Sequence, residues 1–316
     1  MSELPKSVHI MEVGPRDGLQ IEPKILSVEE KLVLINAIAD AGIREIEVGS
    51  FVNPKAVPQM AETGAVFAAL QRRPDVLYRA LWLNHRGLET AIATPNVDVE
   101  GWIHLTASEA FVKRNTNRTI DETFAQVPDW IALYHANGIA PDCLSVMAAF
   151  GCNYEGDVPA GRVVAMIGRL KGILAEHDVR LRKVSLADTM GWANPRHIAV
   201  LVDAVRARWP DLALKLHLHD TRGLAMANAH AALKLGVREF DGSIAGLGGC
   251  PFAGNKGAAG NICTEDLAFM CLEMGIELGV DLEALVEAAR LAERLVGHAA
   301  AGKLVHGGTL ASRRAA

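Results

Sequence analysis

The chain has 316 residues, of which 50% are hydrophobic and 22% are charged, and its formal net charge is −5. This composition is ordinary for a globular protein and excludes a disordered chain, and the mildly acidic balance gives no sign of a nucleic-acid surface. No run of about 18 apolar residues occurs, so we expect no transmembrane helix. The five cysteines are scattered without a CxxC pair, which argues against a disulfide framework or zinc finger and favours a reducing cytoplasm.

Short apolar runs typical of β-strands alternate with longer amphipathic stretches along the chain. Eight runs are predicted as strands: Val8–Val13, Glu45–Val48, Leu77–Trp82, Gly101–Thr106, Leu144–Ala149, Lys183–Leu186, Leu214–His219 and Glu239–Ile244. Helices are predicted between them, including Ser27–Ala41, Asp121–Asn137, Pro159–His177, Pro195–Trp209 and Gly223–Leu235. Eight alternating units predict an α/β fold, a (β/α)8 TIM barrel; an open doubly wound sheet is the alternative, although no GxGxxG follows the first strand.

The last part of the chain extends beyond the eighth predicted strand. Leu267–Leu295 has the pattern of two helices, and no Pro/Ser-rich linker precedes it. We therefore predict a single TIM-barrel catalytic domain over residues 1–316, with residues 265–316 as a helical C-terminal appendage.

Charged residues stand at the ends of several predicted strands. After the first strand, Arg16 and Asp17 lie between Gly-Pro and Gly, where Asp17 offers an oxygen ligand and Arg16 a cation for an oxyanion; a surface turn with an ion pair is the alternative. Glu47 and Asp188 are carboxylates flanked by apolar residues, which are costly to bury unless they are paired or needed. For Asp188, the alternative is a helix cap.

The seventh strand and the loop after the eighth carry further candidates. His217 and His219 are two residues apart on a predicted strand, so their side chains share one face and offer half of a metal site; two structural histidines are the alternative. In the glycine-rich segment Gly246–Asn261, Cys250 is a candidate reactive thiol and Asn261 a candidate carbonyl ligand. The alternative for Cys250 is a small buried filler, which is also our interpretation of the other cysteines.

Together these segments resemble the hydroxymethylglutaryl-CoA lyase family of metal-dependent barrel lyases. The matching stretches follow the family's order: VGPRDGLQ (13–20), SFVNPKAVPQMA (50–61), GCNYEG (151–156), DTMG (188–191), HLHDTRG (217–223), AGLGGCPFA (245–253) and GNICTEDL (260–267). The resemblance implies a TIM barrel and a carbon–carbon lyase that cleaves 3-hydroxy-3-methylglutaryl-CoA to acetyl-CoA and acetoacetate by a retro-Claisen or retro-aldol route.

The resemblance also implies roles for the residues singled out above. A divalent cation, Mg²⁺ or Mn²⁺, would be bound by Asp17, His217, His219 and Asn261. Catalytic roles would fall to Arg16, Cys250, His217, Glu47 and Asp188. Arg16 would stabilise the enolate, Glu47 and Asp188 would surround the substrate hydroxyl and carboxylate, and Cys250 or His217 would deliver a proton. Substrate binding would involve Arg16 and Gln20.

The match departs from the family pattern in two places, which leaves the substrate open. Cys250 and Asn261 are eleven positions apart instead of the family's nine, with two additional residues around Gly254–Lys256, and Asn153 stands where the family has Pro. A related 3-hydroxyacyl-CoA is therefore an alternative substrate. An acyl-CoA condensing transferase, a 2-oxo acid aldolase of the same barrel group and a catalytically idle scaffold are the alternative functions.

The expected partner is an acyl-CoA substrate, with no nucleic acid and no membrane. Family members are commonly dimers or larger, so the resemblance implies a homo-oligomer. A cytoplasmic location is expected from the cysteine pattern.

Overall fold

The computed structural model describes residues 4–248 and 260–314, and its contacts divide the chain into two compact units. The terminal unit comprises residues 5–98, 240–248 and 260–314, and the central unit comprises residue 4 and residues 99–239. Cys250 and the additional residues at 254–256 lie outside the described residues. The assignment of all 316 residues to a single domain stays a prediction.

Eight strands occupy the positions predicted for them. They are β1 (His9–Glu12), β2 (Glu45–Ser50), β3 (Leu77–Leu81), β4 (Trp102–Thr106), β5 (Cys143–Met147), β6 (Lys183–Ala187), β7 (Ala213–His217) and β8 (Glu239–Gly242). Within the terminal unit their order is β3-β2-β1-β8, and within the central unit it is β4-β5-β6-β7. The pairings β1–β2, β2–β3, β4–β5, β5–β6 and β6–β7 are parallel, as alternating strands and helices require.

Helices connect these strands and follow the last of them. They are α1 (Val28–Asp40), α2 (Thr63–Ala69), α3 (His85–Ala93), α4 (Glu109–Thr116), α5 (Ile120–Ala125), α6 (Val127–Ala136), α7 (Ala160–Ala175), α8 (Pro195–Arg208), α9 (Ala225–Lys234), α10 (Thr264–Glu273), α11 (Leu282–Val296), α12 (Leu304–Gly307) and α13 (Ala311–Arg314). No helix in the described ranges has both the length and the hydropathy needed to cross a membrane.

Local sequence signals set the ends of these helices. Ser27 and Glu30 form a reciprocal capping box at the start of α1, in which the Glu30 N–H donates to Ser27 Oγ at 3.2 Å and the Ser27 N–H donates to Glu30 Oε2 at 2.8 Å. Gly42 follows α1 with φ of +99°, a backbone conformation that favours glycine. The helix predicted over Asp121–Asn137 is instead divided into α5 and α6, because Pro128 has no N–H to continue the ladder.

Two features near the end of β5 were not predicted. Gly151–Cys152 pairs antiparallel with Gly156–Asp157 to form a short ribbon, too short to leave a periodic pattern. Ala148 has φ of +52°, a conformation that residues with a side chain rarely adopt.

The four cysteines within the described ranges are buried, which agrees with the filler interpretation. Burial raises the pKa of the Cys271 thiol to about 12 and also raises the pKa of the Cys143 and Cys263 thiols. These thiols stay protonated near neutral pH, so they are unreactive as nucleophiles.

The C-terminal helices belong to the packing of the terminal unit. Helices α10 and α11 confirm the two helices predicted over residues 267–295. Helix α11 packs against α1, and its buried face includes Leu285, Ala289 and Ala292. The C-terminal appendage therefore packs, through α11, against the first helix of the chain.

Candidate active site

The loop after β1 is a single π-helical turn over Gly14–Gly18. The N–H groups of Arg16, Asp17 and Gly18 all donate to the Val13 carbonyl, at 3.1, 2.7 and 3.2 Å. Pro15 lies at the start of the turn, where its missing N–H costs no hydrogen bond. This tight turn fixes Arg16 and Asp17 directly beyond the end of the strand.

Arg16 joins two of the predicted carboxylates. Its Nε donates to Glu47 Oε2 at 2.5 Å and its Nη1 donates to Asp17 Oδ1 at 2.5 Å. All three side chains are almost buried, with exposed fractions of 11% for Arg16, 8% for Glu47 and 7% for Asp17. Gln20 also donates to Asp17 Oδ1 through its amide nitrogen. The structure thus brings four of the predicted site residues into one network, which excludes an exposed surface turn.

The electrostatics of this network favour a cation beside it. Burial raises the pKa of Glu47, although the Arg16 guanidinium opposes that shift. For Arg16, burial lowers the pKa, but Glu47 and Asp17 outweigh burial and the pKa is raised. Asp241 is also buried and acts on both groups, so three acidic side chains surround one guanidinium in a nearly buried place, an arrangement that suits a divalent cation.

Asn261 completes the terminal unit's part of the site. Its side chain is 2% exposed, and its Nδ2 donates to Asp17 Oδ2 at 2.7 Å and to the Leu247 carbonyl at 3.1 Å. Because the amide nitrogen already serves two acceptors, the carbonyl oxygen is the atom that Asn261 can offer to a cation. Asp17 and Asn261 are 244 residues apart in sequence and adjacent in space.

Glu12, at the end of β1, is a residue of this site that the sequence analysis did not single out. Its carboxylate is fully buried and accepts from the Gly14 N–H at 2.7 Å, the Ile244 N–H at 2.8 Å and the Thr264 hydroxyl at 2.6 Å. It thereby ties the Arg16–Asp17 turn to the loop after β8 and to the start of α10, near Asn261. The signal that would have found it is the one used for Glu47, a carboxylate at the end of an apolar strand.

Glu12 also makes the stability of the protein depend on pH. Burial raises its pKa to about 8, against an ordinary value of 4.5, so the folded protein binds this proton more tightly than the unfolded chain does. Its stabilising contribution is therefore complete at low pH and is lost as pH rises from about 4.5 to about 8. Glu12→Gln copies the protonated side chain. We therefore expect the decrease in Tm between pH 5 and pH 8.5 to be smaller in this variant than in the wild type, by roughly 5 °C or more.

The measurement is thermal unfolding followed by circular dichroism across that pH range. Glu89→Gln, which changes an exposed carboxylate in α3, is the matched control and should leave the slope unchanged. Parallel curves for the wild type and Glu12→Gln would show that Glu12 is ionised in the folded protein throughout the range.

His217 and His219 form a pair at the end of β7 in the central unit. Their Nε2 atoms are 3.0 Å apart, and their rings are 5.0 Å apart and tilted by 54°. Two neighbouring ligands at about 2.1 Å from an octahedral cation are separated by about 3.0 Å, so this spacing suits a shared metal ion. His219 is 4% exposed and His217 is half-buried. The predicted strand ends two residues early, at His217, but the two side chains share one face as expected.

Asp188, which directly follows β6, is 1% exposed. Its Oδ1 accepts from the Trp192 N–H at 2.6 Å and the Ala193 N–H at 3.0 Å, so it closes the turn before α8. Its Oδ2 is buried without a hydrogen-bond partner among the described residues. Burial raises the pKa of Asp188 to about 6. A buried carboxylate oxygen of this kind is stabilised when a ligand supplies the missing donor.

The donor chemistry fits a divalent cation. Each unit carries donors of a kind that divalent ions bind: the central unit has two imidazole nitrogens, and the terminal unit has a carboxylate and a carboxamide oxygen. Of the predicted site residues, Cys250 lies outside the described residues, so its role stays a prediction.

Comparisons with known proteins find matches over most of the chain. The family model described as HMGL-like matches residues 7–292. The mitochondrial hydroxymethylglutaryl-CoA lyase of Rattus norvegicus is 41% identical over 288 residues, which cover 91% of this chain and 85% of that protein. The 3-hydroxy-3-isohexenylglutaryl-CoA/hydroxymethylglutaryl-CoA lyase of Pseudomonas aeruginosa is 39% identical over 287 residues, covering 91% of this chain and 92% of that protein.

A solved structure with a similar fold extends the comparison to bound ligands. An HMG-CoA lyase from Acinetobacter baumannii, in complex with coenzyme A and 3-methylmalate, superposes with a TM-score of 0.86. It is 35% identical in sequence, and the match covers 98% of both chains.

Proposed function

The chain belongs to the HMGL-like family, and from that premise we propose that it cleaves 3-hydroxy-3-methylglutaryl-CoA to acetyl-CoA and acetoacetate. It has the (β/α)8 barrel fold with additional C-terminal helices and is a carbon–carbon lyase. The observation that carries the reaction is Arg16, which is nearly buried between Glu47 and Asp17 at a strand end, where a guanidinium can stabilise an enolate oxygen.

Arg16 stabilises the negative charge that develops on the enolate oxygen when the carbon–carbon bond breaks. In the cleavage, the C3 hydroxyl loses its proton, C3 becomes the ketone of acetoacetate, and the electron pair of the C2–C3 bond passes to the thioester as an enolate. The Nε of Arg16 and one N–H of its Nη1 are held by Glu47 and Asp17. The guanidinium has three further N–H groups, and from these it can donate to the enolate oxygen.

We propose that Asp17, Asn261, His217 and His219 bind one divalent cation, Mg²⁺ or Mn²⁺. When bound, such a cation lowers the pKa of a hydroxyl that coordinates it. The ligand set is supported by the 3.0 Å spacing of the two imidazoles and by the Asp17–Asn261 pair. The metal identity is open to several ions, since nitrogen and oxygen ligands suit them all.

Asp188 is the residue that we propose to receive the proton of the substrate hydroxyl. Its buried Oδ2 is ready to accept a hydrogen bond, and a pKa of about 6 leaves it ionised at neutral pH while making it a stronger base than an exposed aspartate. The enolate carbon then takes a proton from an acid, for which Cys250 and His217 are the proposed donors.

The direct test is to incubate the purified protein with 3-hydroxy-3-methylglutaryl-CoA and Mg²⁺ or Mn²⁺. We expect acetyl-CoA and acetoacetate in equal amounts, and we expect chelation by EDTA to abolish turnover and added metal to restore it. Cleavage of another 3-hydroxyacyl-CoA without cleavage of this one would reject the named substrate and keep the lyase reaction. Condensation in place of cleavage would favour an acyl-CoA transferase.

Three further proposals concern the setting of the reaction. The partner is an acyl-CoA, as the coenzyme A complex of the Acinetobacter baumannii relative suggests by analogy. We propose a homo-oligomer and a cytoplasmic location, which size-exclusion chromatography with light scattering and cell fractionation would test.

A further inference from the structure

Trp192 lies on the loop after β6, four residues beyond Asp188. Hydrogen bonds hold both its backbone and its indole ring. Its indole Nε1 donates to Asn153 Oδ1 at 2.7 Å, and its backbone N–H donates to Asp188 Oδ1 at 2.6 Å. The Asn153 side chain therefore supplies the acceptor that anchors the indole ring.

The ring is also held by its packing. A Cβ atom built on Gly151 would lie 2.7 Å from Trp192 Cδ2 and Cε3, so glycine at position 151 makes room for the ring. The Arg222 guanidinium lies over the ring, 5.9 Å from its centroid, and Arg222 Nη1 donates to the Met190 and Gly191 carbonyls at 2.8 and 2.9 Å. The indole is thus confined by contacts on its faces and at its Nε1, while the side chain stays half-buried.

The position of the ring relative to Asp188 suggests what it does. One oxygen of Asp188 is held by the backbone of Trp192 and Ala193, and the other is buried without a partner among the described residues. That second oxygen faces the substrate hydroxyl in the proposed reaction. The carbon that bears the hydroxyl also bears a third substituent, methyl in 3-hydroxy-3-methylglutaryl-CoA. The Trp192 side chain starts at the residue whose N–H holds the first Asp188 oxygen, so our proposal sets the indole beside the carbon that bears the hydroxyl.

We propose that Trp192, held by Asn153, is a specificity-determining residue that limits the size of the C3 substituent and favours methyl over longer alkyl chains. This inference rests on the proposed function. A fixed indole does not yield to a longer chain, and a few methylene groups in a confined site change selectivity by about 10- to 200-fold each. Asn153 acts as a positioning residue, because it hydrogen-bonds the indole ring and acts on the substrate only through it.

The test compares kcat/KM for 3-hydroxy-3-alkylglutaryl-CoA thioesters with methyl, propyl and hexyl substituents in the presence of Mg²⁺. We expect Trp192→Ala to raise the hexyl-to-methyl ratio at least about tenfold. Asn153→Ala, which frees the indole Nε1, should raise the ratio by less. Trp209→Ala is the matched control, since Trp209 is also half-buried beneath cationic side chains but follows α8, and it should leave the ratio unchanged.

The outcomes separate this inference from the proposed function. If Trp192→Ala cleaves the methyl substrate with an unchanged ratio, the inference is wrong and the lyase assignment stands. If the wild type cleaves none of the three thioesters, the proposed function fails and the inference fails with it. Should Trp192→Ala not fold, Trp192→Phe and Asn153→Ala decide the question, because both keep a ring over Gly151 and both are expected to shift the same ratio.

Discussion

Replacement of Arg16 by methionine is expected to lower kcat for 3-hydroxy-3-methylglutaryl-CoA by about a thousandfold or more. Methionine keeps an unbranched side chain but removes the charge that would meet the enolate oxygen. The substitution also leaves Glu47 and Asp17 without the guanidinium between them, so we expect it to lower the stability of the folded protein as well. The measurement is steady-state kinetics of acetyl-CoA formation, with Tm recorded for the same samples.

Arg16→Lys separates the two contributions. Lysine restores a positive charge but lacks the planar fork that contacts Glu47 and Asp17 at once, so we expect Tm to recover more than kcat does. Arg79→Met is a matched control, because Arg79 also pairs with a glutamate of β2, Glu45, and it should keep most of the activity. A fully active Arg16→Met enzyme would show that another group stabilises the enolate.

Replacement of His219 by alanine should weaken metal binding at least a hundredfold and abolish turnover at ordinary Mg²⁺ concentrations. The expectation follows from the pair itself, because removal of one of two imidazoles 3.0 Å apart leaves one nitrogen ligand in place of two. Changing only a residue that supports a ligand costs about 10- to 100-fold in affinity, and loss of the ligand costs at least as much. Mn²⁺ binding followed by electron paramagnetic resonance measures the affinity without relying on activity.

His135→Ala is the control for the loss of a histidine, since His135 is exposed near the end of α6. It should bind Mn²⁺ as the wild type does. If His219→Ala binds Mn²⁺ with unchanged affinity and still turns over, the ligand assignment is wrong. If the variant binds metal normally but is inactive, His219 acts on the substrate and is not a metal ligand.

Much of the fold could be predicted from the sequence because its elements carry repeating signals. Every predicted strand overlaps an observed one, and the predicted capping at Ser27 is present. The secondary-structure predictions are wrong where an element is too short to show a sequence pattern, or where a single residue interrupts the pattern. The ribbon that begins at Gly151 has two residues in each strand, and Pro128 divides a stretch whose apolar pattern is otherwise continuous.

The site could be predicted as a set of residues but not as a network. Chain position shows that Asp17 and Asn261 are polar residues near strand ends, but their 2.7 Å contact depends on the packing of segments 244 residues apart. Glu12 shares the strand-end signal of Glu47, but its role depends on three donors from three different segments, which the sequence does not bring together. The pairing of Asn153 with Trp192 needs the two loops to meet.

The terminal unit is built from the two ends of the described chain, so its parts are synthesised at different times. Strands β1–β3 and helix α1 are synthesised first, but β8, which lies next to β1, and α11, which packs against α1, are synthesised last. During synthesis, α1 also contacts β2 and α2, which follow it closely in the chain, but more than two hundred further residues are made before α11 can pack against it. The same dependence means that a stop codon before α11 removes packing from the beginning of the protein as well as from its end.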